Sequence, residues 1–307
     1  IGTELQQMVD KKVWTLVNLK QIPPNRRHRI IRSKMFCKAN FHADGSFDKF
    51  KARLVAGGDM QDKSDYDNLS APTVATSSVF ANAAIAAAEN RYVMAINIGT
   101  VYLNAPMETG VQVHMRLNAE MTSILESISS EYSEYIDDRG CVVVVLDKAL
   151  YGCIESASLW YNHLASTLTQ AGYISNPYDR CVFNKYNSSG VKCTISLHVD
   201  DLLVTSRDAS MLDDLVSLIT AAYKTCKRQD GPIIGYLGMI FDFSVQGVAS
   251  VTMKGFISNL ILTSGVTGGA NTPASDVLFH VREVGVQNSM ATVPDAQLFH
   301  TPVARCL

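Results

Sequence analysis

Paired cysteines, long apolar runs and a net positive charge are all missing from this sequence. The seven cysteines (Cys37, Cys141, Cys153, Cys181, Cys193, Cys226 and Cys306) are scattered and form no Cys-x-x-Cys pair. That pattern argues against a zinc module and a disulfide framework, and for a reducing compartment. No apolar stretch reaches the roughly 20 residues that span a bilayer, and no secretory signal pattern opens the chain, so no membrane partner is expected. A net charge of -2 removes the global basic signature of a nucleic-acid binder, so any such surface has to be local. Internal repeats, heptads and low-complexity tracts are absent as well. The first residue is Ile, and the chain is expected to be a piece of a longer one.

What remains is ordinary globular composition. The 307 residues are 47% hydrophobic and 18% charged, enough for one large domain or two ordinary ones. The basic residues are uneven. Between positions 20 and 51 stand Arg26, Arg27, His28, Arg29, Arg32, Lys34, Lys38 and Lys49, with only Asp44 and Asp48 as acids. Lys224, Lys227 and Arg228 form a smaller group.

Periodicity predicts a mixed order of elements. Leu5, Met8 and Val9 share a helix face, and 13–17 reads as a strand. Strands over 30–41 and 47–55 are joined by a turn at 43–46, where Gly45 can take positive φ. Lys49, Lys51 and Arg53 fall on one face of the second strand, either as a solvated face or as a row of phosphate contacts. An Ala-rich helix is predicted over 71–90, capped by Ser70 or Thr73 with Pro72 in its first turn. Residues 118–140, rich in Ser, Glu and Asp, read as a surface insertion or irregular helix. A helix over 157–171 ends at Gly172 and carries Leu159, Trp160, His163, Leu164 and Leu168 on one face. Further helices are predicted over 211–223 and 254–264, and a hairpin over 240–245 and 248–253. Strands and helices do not alternate regularly, so the class is α+β.

The chemically loudest stretch is Leu197-His198-Val199-Asp200-Asp201-Leu202-Leu203-Val204. It reads as strand, turn, strand, with two adjacent carboxylates at the bend. A turn explains one Asp well and two less well. The alternative is a metal site, since Mg2+ is commonly held by one or two carboxylates plus substrate phosphates.

Several motifs resemble Ty1/copia-type retrotransposon reverse transcriptases, in that family's order. They are Asp44-Gly45-Ser46, Lys51-Ala52-Arg53-Leu54-Val55-Ala56-Gly57-Gly58, Ser70-Ala71-Pro72-Thr73-Val74, Tyr102-Leu103-Asn104-Ala105, Ala149-Leu150-Tyr151-Gly152 and Val199-Asp200-Asp201. Tyr236-Leu237-Gly238-Met239 and Phe299-His300-Thr301-Pro302-Val303-Ala304 are similar to its downstream landmarks. A palm-like cyclase or other nucleotidyltransferase would share the paired acids but not these flanking motifs.

The resemblance implies a right-hand polymerase, with fingers and palm over 1–235 and a truncated thumb or connection-like region over 236–307. It implies an antiparallel palm sheet packed on helices. The implied reaction is nucleotidyl transfer from dNTPs onto a primer annealed to an RNA or DNA template, using two Mg2+ ions, or Mn2+ in their place. Asp200 and Asp201 would be metal ligands. Lys51 and Arg53 would hold the triphosphate, Arg53 by bidentate contact. Tyr102 would be the steric gate against a ribose 2′-hydroxyl, although by itself it reads as a core aromatic. Other Pol segments, RNase H and integrase, are not in this sequence. The implied location is intracellular, in a cytoplasmic virus-like particle or the nucleus.

The sequence also departs from the family. Asn97, in Asn97-Ile98-Gly99-Thr100-Val101-Tyr102-Leu103, stands where a third metal-binding Asp belongs, and predicts impaired catalysis. Glu155 stands where the family has Gln, and is expected at the dNTP pocket, where a carboxylate pointing inward would repel phosphate. Val101 replaces a small residue beside Tyr102 and is expected to crowd the nucleotide. His198 replaces the usual Tyr before Val-Asp-Asp.

Overall fold

The computed structural model describes residues 1–41, 47–66, 69–107, 110–224 and 226–264. The predicted turn at 43–46 and the motif at 299–304 lie outside the described residues. In chain order the elements are α1 (Gly2–Asp10), β1 (Trp14–Val17), β2 (Ile31–Phe41), β3 (Phe47–Ala56), α2 (Thr76–Ala88), β4 (Tyr92–Ile98), β5 (His114–Leu117), α3 (Ala119–Ile128) and β6 (Val142–Leu146). They continue with α4 (Ser156–Gln170), β7 (Ile174–Ser175), β8 (Val182–Tyr186), β9 (Lys192–His198), β10 (Asp201–Ser206), α5 (Ala209–Tyr223), β11 (Cys226–Asp230), β12 (Ile233–Tyr236), β13 (Met239–Asp242), β14 (Ser250–Thr252) and α6 (Lys254–Ser264). The architecture is α+β.

Two cores organise the chain. The first sheet has the order β1-β6-β5-β2-β3. Leu5 and Met8 of α1, and Met121 and Leu125 of α3, bury with Leu54, Met115, Leu117, Val142 and Val144 of that sheet. The second sheet, β11-β4-β10-β9-β8-β7, is antiparallel throughout. Three helices pack with it. Val79 and Ala83 of α2, Trp160 and Leu164 of α4, and Leu215 and Ile219 of α5 share one core with Ile96, Ile195, Leu202 and Val204. Burying each of the Val, Leu and Ile side chains contributes about 1.5–3 kcal/mol, so this core holds the central strands firmly.

A third sheet, β12-β13-β14, joins the second core. Tyr236, at the predicted segment boundary, is buried there, and its hydroxyl donates to the Ser196 carbonyl at 2.9 Å. The predicted hairpin over 240–253 is the β13–β14 pair, and β12 adds a strand before it. β12 and β13 meet at Leu237 and Gly238, with φ of +51° and +74°, the left-handed pair that a tight two-residue turn needs.

One helix start is corrected and one open reading is decided. α2 begins at Thr76, not at 71, and neither Ser70 nor Thr73 caps it. The Ala75 N–H donates instead to the Asp179 carboxylate at 3.0 Å, a partner 104 residues away. Of the two readings of residues 118–140, the irregular helix holds: α3 is followed by a 3-10 turn over Ser130–Tyr135, and both bury side chains. Asn118 caps α3 by accepting from the Met121 N–H, and the buried Tyr132 hydroxyl accepts from Trp14 Nε1 at 2.9 Å.

Candidate functional site

The aspartate pair sits where β9 turns into β10. His198 pairs with Asp201, which leaves Val199 and Asp200 as a two-residue turn. Val199 has φ of +54°, a left-handed conformation that costs a β-branched residue about 1–3 kcal/mol. Two hydrogen bonds hold it. Trp160 Nε1 donates to the Val199 carbonyl at 2.7 Å, and the Ile98 N–H donates to the Asp200 carbonyl at 2.9 Å. Trp160→Phe keeps an aromatic ring against Tyr223 but removes the donor. It is expected to lower stability by about 1–2 kcal/mol in urea unfolding. An unchanged midpoint would show that the turn holds itself.

Neighbouring strands complete the geometry. Asn97 on β4 is directly opposite Asp201 on β10, and Lys227 on β11 is directly opposite Asn97. Cross-strand partners share a face, so Lys227, Asn97, Asp201 and His198 form a row across the sheet. Asn97 Nδ2 donates to Asp201 Oδ1 at 2.8 Å and to Asp200 Oδ2 at 3.2 Å. Burial pushes the Asp201 carboxyl above its ordinary range. The Asn97 hydrogen bond opposes that shift and the Asp200 charge adds to it.

A basic and aromatic wall stands near Asp200. The Arg53 guanidinium lies 4.1 Å over the Tyr151 ring, and Tyr151 meets Tyr102 edge to face at 4.7 Å. Burial raises the hydroxyls of both tyrosines, and both feel the charges of Arg53 and Asp200. The structure therefore brings Arg53, Tyr102 and Tyr151 within electrostatic reach of Asp200, beside Asn97 and Asp201. Lys51 is exposed on the same face of β3 as Arg53, opposite Lys38.

Glu155 does not join them. It is 2% exposed, and its carboxylate accepts from Gln61 Nε2 at 2.9 Å and from the Tyr66 hydroxyl at 3.0 Å. Burial and the Glu155 charge push the neighbouring Cys153 thiol up to about 12. A carboxylate already satisfied inside the protein is not a surface that repels a triphosphate. Val101 is likewise 1% exposed and packs into the core, so it has no surface with which to crowd a nucleotide.

Sequence reasoning missed Trp160, Tyr151 and Lys227 as parts of the site. Tyr151 carried a signal in its Leu-Tyr-Gly motif. Trp160 reads as one more apolar residue on a helix face, and nothing in the sequence sets Lys227 beside Asn97.

The donor set is short for a metal centre. Among the described residues, no three His, Cys, Asp or Glu side chains converge to hold an ion. Asp200 and Asp201 suit one hard dication that draws its other ligands from water and phosphates. A second ion would have no further carboxylate.

The chain resembles transposon polyproteins in sequence. It is 23% identical over 232 residues to the retrovirus-related Pol polyprotein from transposon RE1 of Arabidopsis thaliana, covering 75% of this chain and 14% of that protein. It is 25% identical over 239 residues to the corresponding polyprotein from transposon TNT 1-94 of Nicotiana tabacum, covering 77% and 16%. It is 26% identical over 231 residues to the transposon Ty1-LR2 Gag-Pol polyprotein of Saccharomyces cerevisiae, covering 72% and 11%. The chain thus spans less than a fifth of each relative's length. Among solved structures, a foamy viral protease-reverse transcriptase in complex with double-stranded DNA aligns at a TM-score of 0.40 and 11% identity, over 87% of this chain and 37% of that one. The family profile described as reverse transcriptase (RNA-dependent DNA polymerase) matches residues 11–277. Together with the motifs gathered near Asp200, that match makes the chain a member of the reverse transcriptase family, in its Ty1/copia-type branch.

Proposed function

We propose that this chain is the fingers and palm of an RNA-directed DNA polymerase from a Ty1/copia-type Pol polyprotein, with its catalysis weakened at Asn97. Residues from 236 onward begin the thumb in this reading. One observation carries it: elements far apart in sequence bring the Arg53–Tyr151–Tyr102 wall within electrostatic reach of Asp200. Arg53 offers a planar fork for a triphosphate, with Lys51 adding charge beside it. Tyr102 presents a half-buried ring against Tyr151, and in this reading it excludes a ribose 2′-hydroxyl. Asp200 and Asp201 would hold Mg2+ or Mn2+. The bound ion would neutralise charge on the transferring phosphoryl group and lower the pKa of the primer hydroxyl. A template–primer duplex would lie along the fingers face that carries Lys34, Lys38, Lys51 and Arg53.

A second reading, a nucleic-acid-binding remnant without catalysis, is favoured by the Asn97 amide, which ties up both carboxylates. Primer extension on an RNA template separates the two. Asn97→Asp is expected to extend the primer, and Asp201→Asn in that background to abolish extension. No extension by Asn97→Asp would overturn the polymerase reading and leave the remnant. Under either reading, duplex affinity falls steeply with salt, and Lys51→Ala lowers the slope of log affinity against log salt by about 1. An unchanged slope would remove Lys51 from the contact surface.

A further inference from the structure

Asn97 offers more than a missing charge. An amide NH2 has two N–H donors, and here one goes to each carboxylate of the pair, at 2.8 and 3.2 Å. The contact follows from register. Position 97 lies directly opposite Asp201, so whatever side chain stands there meets the pair. With Asp at 97, three acceptor-only carboxylates would face one another with no donor among them. Like charges held that close repel and call for a cation. With Asn, the donors come from the protein itself.

We propose that the Asn97 amide replaces the divalent cation as the internal clamp of the aspartate pair. The palm of this chain then holds its active-site geometry without metal, and an incoming ion competes with the amide for the same oxygens. The backbone supports this independence. The carbonyls of Val199 and Asp200 are fixed by Trp160 and by the Ile98 N–H, neither of which involves a carboxylate. The inference rests on reading Asp200 and Asp201 as the metal-holding pair, but it makes a separate statement about what stabilises the fold.

The sign of one comparison distinguishes a clamp from a weak ligand. If the Asn97 side-chain oxygen helped to hold metal, Asn97→Ala would bind it more weakly. If the amide competes with metal, Asn97→Ala binds it more tightly.

The experiment measures thermal unfolding in chelator and in Mn2+, and Mn2+ binding by the paramagnetic resonance signal of the free ion. It uses this chain, Asn97→Asp and Asn97→Ala. With Mn2+ held below the dissociation constant of this chain, its melting temperature is expected to differ by less than about 1 °C from that in chelator. Asn97→Asp is expected to melt at least about 3 °C lower in chelator and to regain that loss in Mn2+. Its Mn2+ dissociation constant is expected to be at least about tenfold below that of this chain. Asn97→Ala is expected to fall between the two in Mn2+ affinity. The proposal is overturned if Asn97→Asp is as stable as this chain in chelator, or if Asn97→Ala binds Mn2+ more weakly than this chain does. If the Ala variant does not fold, the Asp variant decides alone. Neither readout involves extension. A metal-stabilised Asn97→Asp that extends no primer would sink the polymerase reading and leave the clamp standing.

Discussion

Asn97→Asp is expected to raise the rate of primer extension on an RNA template by about two decades or more, equivalent to about 3 kcal/mol of transition-state stabilisation. Two effects add. In this chain the carboxylates of Asp200 and Asp201 accept from the Asn97 amide, and those hydrogen bonds have to break before either oxygen can serve another group. Hydrogen bonds to charged acceptors contribute about 1.5–3 kcal/mol each. The neutral amide also leaves the site one negative charge short at the point where cationic charge has to be held. The register guarantees that a carboxylate at 97 lands beside Asp201, so no other change is needed to position it. Equal rates for the two chains, falling no further with Asn97→Ala, would show that the site tolerates a neutral residue there.

Gly152→Ala is expected to lower stability by about 3 kcal/mol or more, and to cost nucleotide binding as well. Gly152 has φ of +92°, and a Cβ there would run into the Ala56 carbonyl oxygen and the Val55 side chain. A Cβ on Gly58 would in turn meet the Gly152 carbonyl. The two backbones approach this closely because the Ala56 N–H donates to the Tyr151 carbonyl at 2.7 Å. That bond sets Tyr151 beneath Arg53, so prising the turn away from β3 dismantles the wall near Asp200. Gly190→Ala is the control. Its φ of +75° carries comparable backbone strain, but a Cβ there meets nothing within 4 Å. It should cost only about 1 kcal/mol. Urea unfolding of both variants decides the matter. Equal losses would mean that the close approach contributes nothing.

These two cases show where reading the sequence succeeds and where it stops. Gly57-Gly58 and Tyr151-Gly152 stand out as motifs, yet 93 residues separate Gly58 from Tyr151, and nothing in either motif names the other. Glu155 is placed correctly in the chain and wrongly in space. Its neighbours Gln61 and Tyr66 come from the loop after β3, and they turn a suspected phosphate-repelling group into a buried, satisfied one. The start of α2 departs from the local signal for the same kind of reason, because Asp179 holds Ala75, the residue before the helix, from 104 positions away.

By itself the sequence determined the α+β class, most of the strands and helices, the turn that carries the aspartate pair and the anomaly at Asn97. Period, turn residues and contiguous motifs are short-range properties written along the chain. Only the tertiary structure decided what Asn97 does. Its two hydrogen bonds span 103 and 104 positions and exist because β4 and β10 pair in one register. Slipping that register by one residue would turn Asn97 to the opposite face of the sheet. Which face a side chain shows, and which distant group it meets there, is set by strand pairing and core packing, and neither is recorded in any local stretch of residues.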